Sequence, residues 1–258
     1  MTTFFTHCDW HLGDHLAILH YLRKQASHYP EHHFVHAAHF FYLPQLIEVV
    51  SDLSNITLID IEYKPESSQN GWKNTDKFLD EHPNKQDYAT VYIDFFQYLS
   101  LKLGLESPIH EVSDLLFDYP AILKTRYNNF DFLVVNSAPM SNQFWGFNEE
   151  HFNDLIGKLI ERGYSVVTTA HSSYPSVPCT FNNRLSISAI GGLSLSCKYI
   201  LGICNGPTWP TFNIWNTQSV LLRILLLTNG EQVLIAPNTE HAGTMQELIN
   251  ILQSRDLL

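Results

Sequence analysis

Short β-prone runs alternate with segments of helical periodicity, and this alternation restricts the possible fold more than any other feature of the chain. At the start, Thr2–Cys8 is β-prone, and His15–Ser27 repeats apolar residues at close to the helical period. Such alternation predicts an α/β fold in which helices cover a parallel sheet. The other elements expected in the first half are strands Phe34–Ala38, Ile56–Ile61 and Ala89–Ile93 and helices Leu43–Asp52 and Phe95–Leu103, with a loop over Lys64–Lys77.

A second round of the same alternation follows the mixed segment Leu105–Asn129. We therefore predict two domains, residues 1–125 and 126–258, each of ordinary size for its class. Ligands of such sheets bind at the carboxyl ends of the strands, and two such domains predict a site in a cleft between them. The expected elements are strands Phe132–Asn136, Tyr164–Thr169 and Tyr199–Ile203 and helices Glu149–Arg162, Ser188–Ser196 and Thr244–Gln253, whereas Val220–Leu226 and Gln232–Ile235 fit either type.

The composition excludes several classes of partner. The chain has a net charge of -11 and only 15 Lys and Arg residues, so nucleic acid is not expected as a partner. Its four cysteines are far apart and are expected to be reduced. No signal peptide and no integral membrane segment is predicted, since the longest apolar run, Val220–Leu227, is too short to cross a bilayer, and a cytoplasmic location is expected.

Histidines are concentrated near the amino terminus, with nine before residue 40. His7, His11 and His15 are spaced by four residues, which would align metal ligands on a helix. Gly13 is expected to interrupt such a helix, because Asp9–Asp14 reads as a loop between the first strand and the first helix. We therefore expect no metal and no cofactor.

The end of the first strand is the first candidate site. Asp14 can serve either as a helix-capping residue or as a general base that faces a cleft. His11 and His15 are competing candidates for the base, because histidine titrates near neutral pH.

Three further candidate segments follow strands of the second half. Asn136 and Ser137 begin a polar loop suited to a diphosphate, and the loop Thr168–Ser173 contains His171 and can hold a nucleotide base or ribose. In the third segment Gly206 permits a tight turn and Pro207 suits the first turn of a helix. A helix that starts there would direct free backbone N–H groups at a phosphate.

Three stretches resemble the ADP-heptose lipopolysaccharide heptosyltransferase family of GT-B glycosyltransferases: Leu12-Gly13-Asp14-His15-Leu16, Val134–Gly163 and Ser186–Pro207. The resemblance implies an α/β chain with two Rossmann-like doubly wound domains facing a cleft, the first binding a glycan or lipid-linked acceptor and the second a nucleotide-sugar donor. It also implies an inverting, metal-independent transfer in which Asp14 is the base. The leaving diphosphate would then be stabilised by N–H groups around Asn205–Thr208 and by Ser137 and Ser141.

The sequence departs from the family pattern at four positions. Cys204 stands where the family has Asp, Asn205 replaces a hydroxyl residue, Trp209 stands near a usual His, and Gln143 stands where Lys is common. The full set of expected substrate-binding residues is Gly13, Asn136, Ser137, Ser141, Gln143, His171, Asn205, Gly206, Pro207, Thr208 and Trp209.

Two alternatives to transfer remain open at this point. One is a nucleotide- or sugar-binding protein of the same fold without catalysis, and the other is a nucleotide-sugar epimerase of the GT-B type. A dehydrogenase is disfavoured, because no Gly-x-Gly-x-x-Gly follows the first strand.

Overall fold

The computed structural model describes residues 1–124, 127–140, 144–228 and 230–258. The chain divides into two compact units. Unit 1 comprises Met1–Ala121 with Val233–Ile235, and unit 2 comprises Ile122–Gln232 with Ala236–Leu258. The domain boundary predicted at residues 125 and 126 lies outside the described residues.

Unit 1 is built on a four-stranded sheet in the order β3-β2-β1-β4. β1 pairs in parallel with β2 and β4, and β2 pairs in parallel with β3. The carboxyl ends of these strands therefore lie at one edge of the sheet. The strands are β1 Thr3–His7, β2 His33–Ala38, β3 Ile56–Asp60 and β4 Gln69–Asn70, the last within a segment expected to be a loop.

The first helix of unit 1, α1, begins earlier than the sequence predicts. It spans Leu12–His28, so Gly13 lies inside the helix rather than in a loop before it. His11 is the N-cap residue, and the Asp14 carboxylate accepts from its backbone N–H at 3.2 Å. This bond at the first turn stabilises the earlier start and offsets the low helix propensity of glycine.

The predicted strand Ala89–Ile93 is wrong, because these residues belong to a helix. Asp87 caps the helix by accepting from the Ala89 N–H at 3.1 Å, and Gly104 ends it with φ of +69°. The buried side chains of this helix recur at the helical period and pack into the core of unit 1. Tertiary burial therefore overrides the local β propensity. The other helices of unit 1 are α2 Leu43–Val50 and α3 Phe78–Glu81, and the helix just described is α4 Tyr88–Leu103.

Unit 2 is built on a five-stranded parallel sheet in the order β6-β5-β7-β8-β9. Its strands are β5 Phe130–Val135, β6 Val166–Thr168, β7 Cys197–Ile203, β8 Leu222–Leu226 and β9 Thr239–Ala242. Gly202 in β7 is paired with Val135 in β5 at a φ of +127°. A Cβ atom there would lie 2.1 Å from the Val135 carbonyl oxygen, so only glycine fits this approach of the two strands.

The helices of unit 2 are α5 Glu149–Glu161, α6 Ile187–Ser194 and α7 Met245–Ser254. Asn148 caps α5 through the Glu150 N–H, and Thr244 caps α7 through the Glu247 N–H. Apolar faces of α5 and α7 form a buried core with strands β5 to β8. This burial of apolar area is the main stabilising contribution in the unit.

Two expectations for unit 2 need correction. The segment after β7 forms a 3₁₀ helix of six residues, Gly206–Thr211, rather than the start of an α-helix. Of the two undecided segments, Val220–Leu226 contains β8, whereas Gln232–Ile235 lies in neither a helix nor a multi-residue strand. The α/β class with parallel sheets flanked by helices is confirmed.

Within the described residues, no helix combines the length and the apolar character that crossing a bilayer requires.

Candidate functional site

Asn136 connects the carboxyl ends of β5 and β6. Its backbone N–H donates to Thr169 Oγ1 at 3.1 Å, and its side-chain oxygen accepts from the Ala170 N–H at 2.8 Å. Its side-chain nitrogen donates to the carbonyl oxygen of His171 at 3.1 Å. With both ends of the amide engaged and only 5% of the residue exposed, Asn136 holds the loop after β6 in place.

Ser137 extends the same arrangement toward β7. Its hydroxyl lies 2.8 Å from Thr169 Oγ1, and its carbonyl oxygen accepts from the Asn205 side-chain nitrogen at 3.0 Å. The ends of β5, β6 and β7 are thus joined by amide and hydroxyl groups. We call Asn136, Ser137, Thr169 and Asn205 the polar edge of unit 2.

His171 lies beside the polar edge in an exposed loop. Its ring makes an edge contact with Phe181, at 5.5 Å between centroids, and Phe181 is 69% exposed. The carbonyl of His171 is held by Asn136, so the position of the ring depends on the polar edge. The pair offers an aromatic surface of the kind that stacks on a planar base.

The turn after β7 has fewer free N–H groups than the sequence predicts. The Thr208 N–H donates to the Asn205 carbonyl at 2.9 Å, and the Asn205 N–H is directed at Thr208 Oγ1 at 3.4 Å. Pro207 has no N–H to offer. Gly206 and Pro207 are the partly exposed residues of the turn, so an anion would meet the turn at Gly206.

Thr208 and Trp209 point into unit 2 rather than toward solvent. Thr208 is fully buried, and its hydroxyl donates to the Ile203 carbonyl at 2.6 Å. Trp209 is 5% exposed and makes an edge contact with Phe212. Both residues shape the turn from within and present no surface to a ligand.

In unit 1, Asp14 lies at the first turn of α1, just beyond the end of β1. One carboxylate oxygen accepts from the indole N–H of Trp72 at 3.1 Å, and the other accepts from the His11 N–H at 3.2 Å. Burial, followed by the negative charge of Asp14, raises the pKa of the neighbouring Tyr42. The carboxylate is thus fixed in orientation, and a carboxylate has further lone pairs to accept a substrate proton.

His15 does not share the position of Asp14. It is fully buried, and its Nδ1 lies 2.9 Å from Nε2 of His36, whose Nδ1 lies 3.0 Å from the Thr6 hydroxyl. Burial lowers the pKa of His15 to about 3 and that of His36 well below its usual range. His15 is therefore a neutral interior group that does not meet solvent. His11 is half-buried at the N-cap, and Gly13 is buried behind it.

The structure brings together the predicted residues Asn136, Ser137, His171, Asn205 and Gly206 at one edge of unit 2. Ser141 and Gln143 lie outside the described residues. Among the residues that are described, no group of three or more His, Cys, Asp or Glu side chains is arranged to hold a metal ion. All four cysteines are buried thiols outside any disulfide.

Sequence reasoning did not single out two residues that the geometry makes important. Thr169 lies within the candidate loop Thr168–Ser173, but no pattern marked it as the bridge between Asn136 and Ser137. Trp72 holds the Asp14 carboxylate from a segment expected to be a featureless loop, and no local pattern pointed to this contact.

No protein-family model matches the sequence, and no curated protein matches it. The fold is similar to E. coli heptosyltransferase WaaC with ADP-2-deoxy-2-fluoro heptose, at a TM-score of 0.60 and 12% identity over 99% of this chain and 100% of that one. It is also similar to E. coli ADP-heptose lps heptosyltransferase II, at 0.57 and 12% identity over 98% of both chains. A glycosyl transferase family 9 structure from Veillonella parvula gives 0.51 and 13% identity over 99% and 88%. The resemblance noted in the sequence is therefore confirmed at the level of the fold.

Proposed function

We propose that the chain is a glycosyltransferase that moves a sugar from a nucleoside diphosphate donor to a glycan or lipid-linked acceptor. The observation that carries the proposal is the polar edge of unit 2, where the ends of three parallel strands converge. This is where ligands of α/β sheets bind. The fold neighbours support the choice of ligand, since WaaC was solved with ADP and with an ADP-heptose analogue.

In this proposal the donor diphosphate meets the Ser137 hydroxyl and the N–H of Gly206, and the base or ribose lies on the His171 loop. The acceptor oxygen attacks the anomeric carbon as the bond to the diphosphate breaks, with inversion. Asp14 accepts the proton of the acceptor hydroxyl, so the products are the glycoside and the nucleoside diphosphate. The Trp72 and His11 contacts keep the carboxylate oriented for that transfer.

The turn after β7 favours a second candidate, a protein that binds the same ligand without turnover. Asn205 and Thr208 close the turn on each other, so it supplies fewer donors to a leaving diphosphate than the family pattern implies. Weaker stabilisation of that charge lowers the rate of transfer more than it lowers the affinity for the donor.

The proposal is tested by isothermal titration calorimetry with ADP, UDP, GDP, CDP and their sugar conjugates. We expect one base to bind at micromolar to low millimolar concentration. Ser137→Ala should weaken that ligand by about tenfold, because one hydrogen bond to the diphosphate is lost.

Ser254→Ala is the matched control, because this serine hydroxyl bonds only within its own turn at the carboxyl end of α7 among the described contacts. No binding by any nucleotide at millimolar concentration would refute both candidates. Binding without transfer to any glycan, together with an Asp14→Asn variant that behaves like the parent protein, would favour the second candidate.

A further inference from the structure

Two tryptophans form a stacked pair beside Asp14. The rings of Trp10 and Trp72 lie 4.1 Å apart between centroids at an interplanar angle of 30°. Trp72 donates its indole N–H to Asp14, and Trp10, which follows β1, is 43% exposed. Trp72, which is bonded to the candidate base, thus holds the ring of Trp10 in a position where one aromatic face is open to solvent.

The geometry of this pair suits a sugar ring. The face of an indole carries the negative part of its quadrupole, and the C–H bonds on one side of a pyranose ring are positively polarised. Stacking of the two rings leaves the sugar hydroxyls at the rim, where hydrogen bonds to a carboxylate are available. Trp10 lies four residues before Asp14 in the chain, and Trp72, on which it stacks, is bonded to Asp14, so a ring on this pair lies in the same part of unit 1 as the proposed base.

The charges at the same edge of the sheet disfavour an anionic ligand. Asp9 follows β1, Asp60 is the last residue of β3, and Glu62 lies just beyond it. Lys64 pairs with Asp9, with Nζ 3.4 Å from a carboxylate oxygen. Burial, followed by the charge of Lys64, lowers the pKa of His7, so this ring is neutral at physiological pH. The buried Lys73 also lies near the pair, with Nζ 6.0 Å from the centre of the Trp72 ring. Asp9, Asp14, Asp60 and Glu62 together outnumber the two lysines, so a phosphate or carboxylate group would meet net repulsion here.

We propose that Trp10 and Trp72 form a stacking platform for a sugar ring of an uncharged saccharide, which is the acceptor of the transfer. That this saccharide is the acceptor rests on the proposed function. That it is an uncharged sugar rests on the tryptophan pair and the surrounding charges. Recognition of an uncharged sugar separates this chain from an enzyme that recognises a phosphorylated or acidic acceptor, since such a site needs an excess of cations, whereas acidic groups outnumber the lysines at this edge.

A lipid surface is the other ligand that exposed tryptophans can meet. Binding to an anionic bilayer draws on basic residues around the aromatic groups. The acidic residues at this edge argue against it, and the ordered stack of two indoles, one of them bonded through its N–H to a carboxylate, argues for a small polar ligand with one apolar face.

The experiment is a ¹⁹F NMR titration of the full chain labelled with 5-fluorotryptophan, in which substitution of each of the five tryptophans in turn assigns the signals. Lactose, maltose and cellobiose are the neutral probes, and a digalacturonate is the anionic probe. We expect at least one neutral disaccharide to shift the Trp10 and Trp72 signals selectively, with digalacturonate much weaker. Trp10→Ala should weaken the neutral ligand by about tenfold or more, as expected for a central aromatic contact.

Two variants separate a platform from a structural role. Trp72→Phe removes the bond to Asp14 but keeps an aromatic ring, so saccharide binding should fall less than in Trp10→Ala. Trp145→Ala, at another exposed tryptophan and in unit 2, should leave saccharide binding unchanged.

Three results would overturn the inference: no shift with any neutral disaccharide at tens of millimolar, tighter binding of digalacturonate, or shifts caused only by phosphatidylcholine or phosphatidylglycerol vesicles. The titration contains no nucleotide. If no nucleotide binds in the calorimetry but a neutral disaccharide binds here, the proposed transferase function is refuted and the saccharide platform is still supported.

Discussion

At the scale of single residues, the histidines of unit 1 differ sharply in role despite their clustering in the sequence. His15 and His36 bond to each other inside the unit, whereas His11 caps α1 at its surface. In the sequence both His11 and His15 were candidates for the base, because histidine titrates near neutral pH. The structure separates them because α1 turns one side chain inward and leaves the other at the N-cap.

The buried pair predicts a pH dependence of stability. Well above about pH 6.5, the ordinary pKa of histidine, the rings are neutral in both the folded and the unfolded chain, so they contribute no pH dependence. Below that value the unfolded chain takes up protons that His15, with its pKa of about 3, does not accept when folded. The free energy of unfolding of unit 1 should therefore fall by about 1.4 kcal/mol per pH unit for each buried histidine.

Urea denaturation between pH 7 and 5 measures this slope. His15→Gln should reduce the slope by the contribution of one buried histidine, about 1.4 kcal/mol per pH unit. His28→Gln, at an exposed position, should leave the slope unchanged. An identical slope in the parent protein and in His15→Gln would contradict the assignment.

At the scale of elements, the pairing of β5 with β7 is what brings Ser137 within hydrogen-bond distance of Asn205. The two strands pair over most of their length, and Gly202 lies opposite Val135, the residue directly before Asn136. A side chain at position 202 would push β7 away and separate Ser137 from Asn205. The position of the glycine thus links strand packing to the candidate site.

Gly202→Ala should destabilise unit 2 by about 3 kcal/mol or more, because the new Cβ meets the Val135 carbonyl and the backbone has a positive φ. Gly163→Ala is the matched control in the same unit, since φ there is +82° but no atom lies within 4 Å. The control should lose only about 1 to 2 kcal/mol. Guanidinium denaturation gives both values, and equal losses would show that steric exclusion at Gly202 is not the cause.

The sequence predicts elements well where burial and local propensity agree, as in β1, β2, β3 and α5. It fails at Ala89–Ile93, where β-branched and aromatic residues favour a strand locally but the Asp87 cap and the buried face of α4 favour a helix. The positions of Asn136 and Gly206 follow from strand ends alone. The contacts of Thr169 and Trp72 do not, because each joins segments distant in the chain and neither leaves a local pattern.

At the scale of the whole molecule, each of the two units has its own parallel sheet and its own candidate residues. The polar edge of unit 2 contains no charged side chain among its four members. The carboxylate that the proposal needs for proton transfer belongs to unit 1. Donor binding and proton removal are therefore assigned to different parts of the chain, and a substitution can affect one without the other.

Asp14→Asn should reduce turnover by about a hundredfold or more, since a positioned general base is lost. The affinity for the donor should stay within about twofold, because the residues proposed to bind the donor all lie in unit 2. Steady-state kinetics with the nucleotide sugar found by calorimetry, together with a donor titration of the variant, measures both. Asp154→Asn, on the exposed face of α5, is the control, and unchanged turnover in Asp14→Asn would refute the role of the base.

Asn136 grips the loop that follows β6 through main-chain atoms of residues 170 and 171, not through their side chains. These hydrogen bonds do not depend on which side chains occupy positions 170 and 171. Substitutions can therefore accumulate along the loop during evolution while its backbone path stays the same. In this way a fold can be retained after the sequence similarity between relatives has been lost.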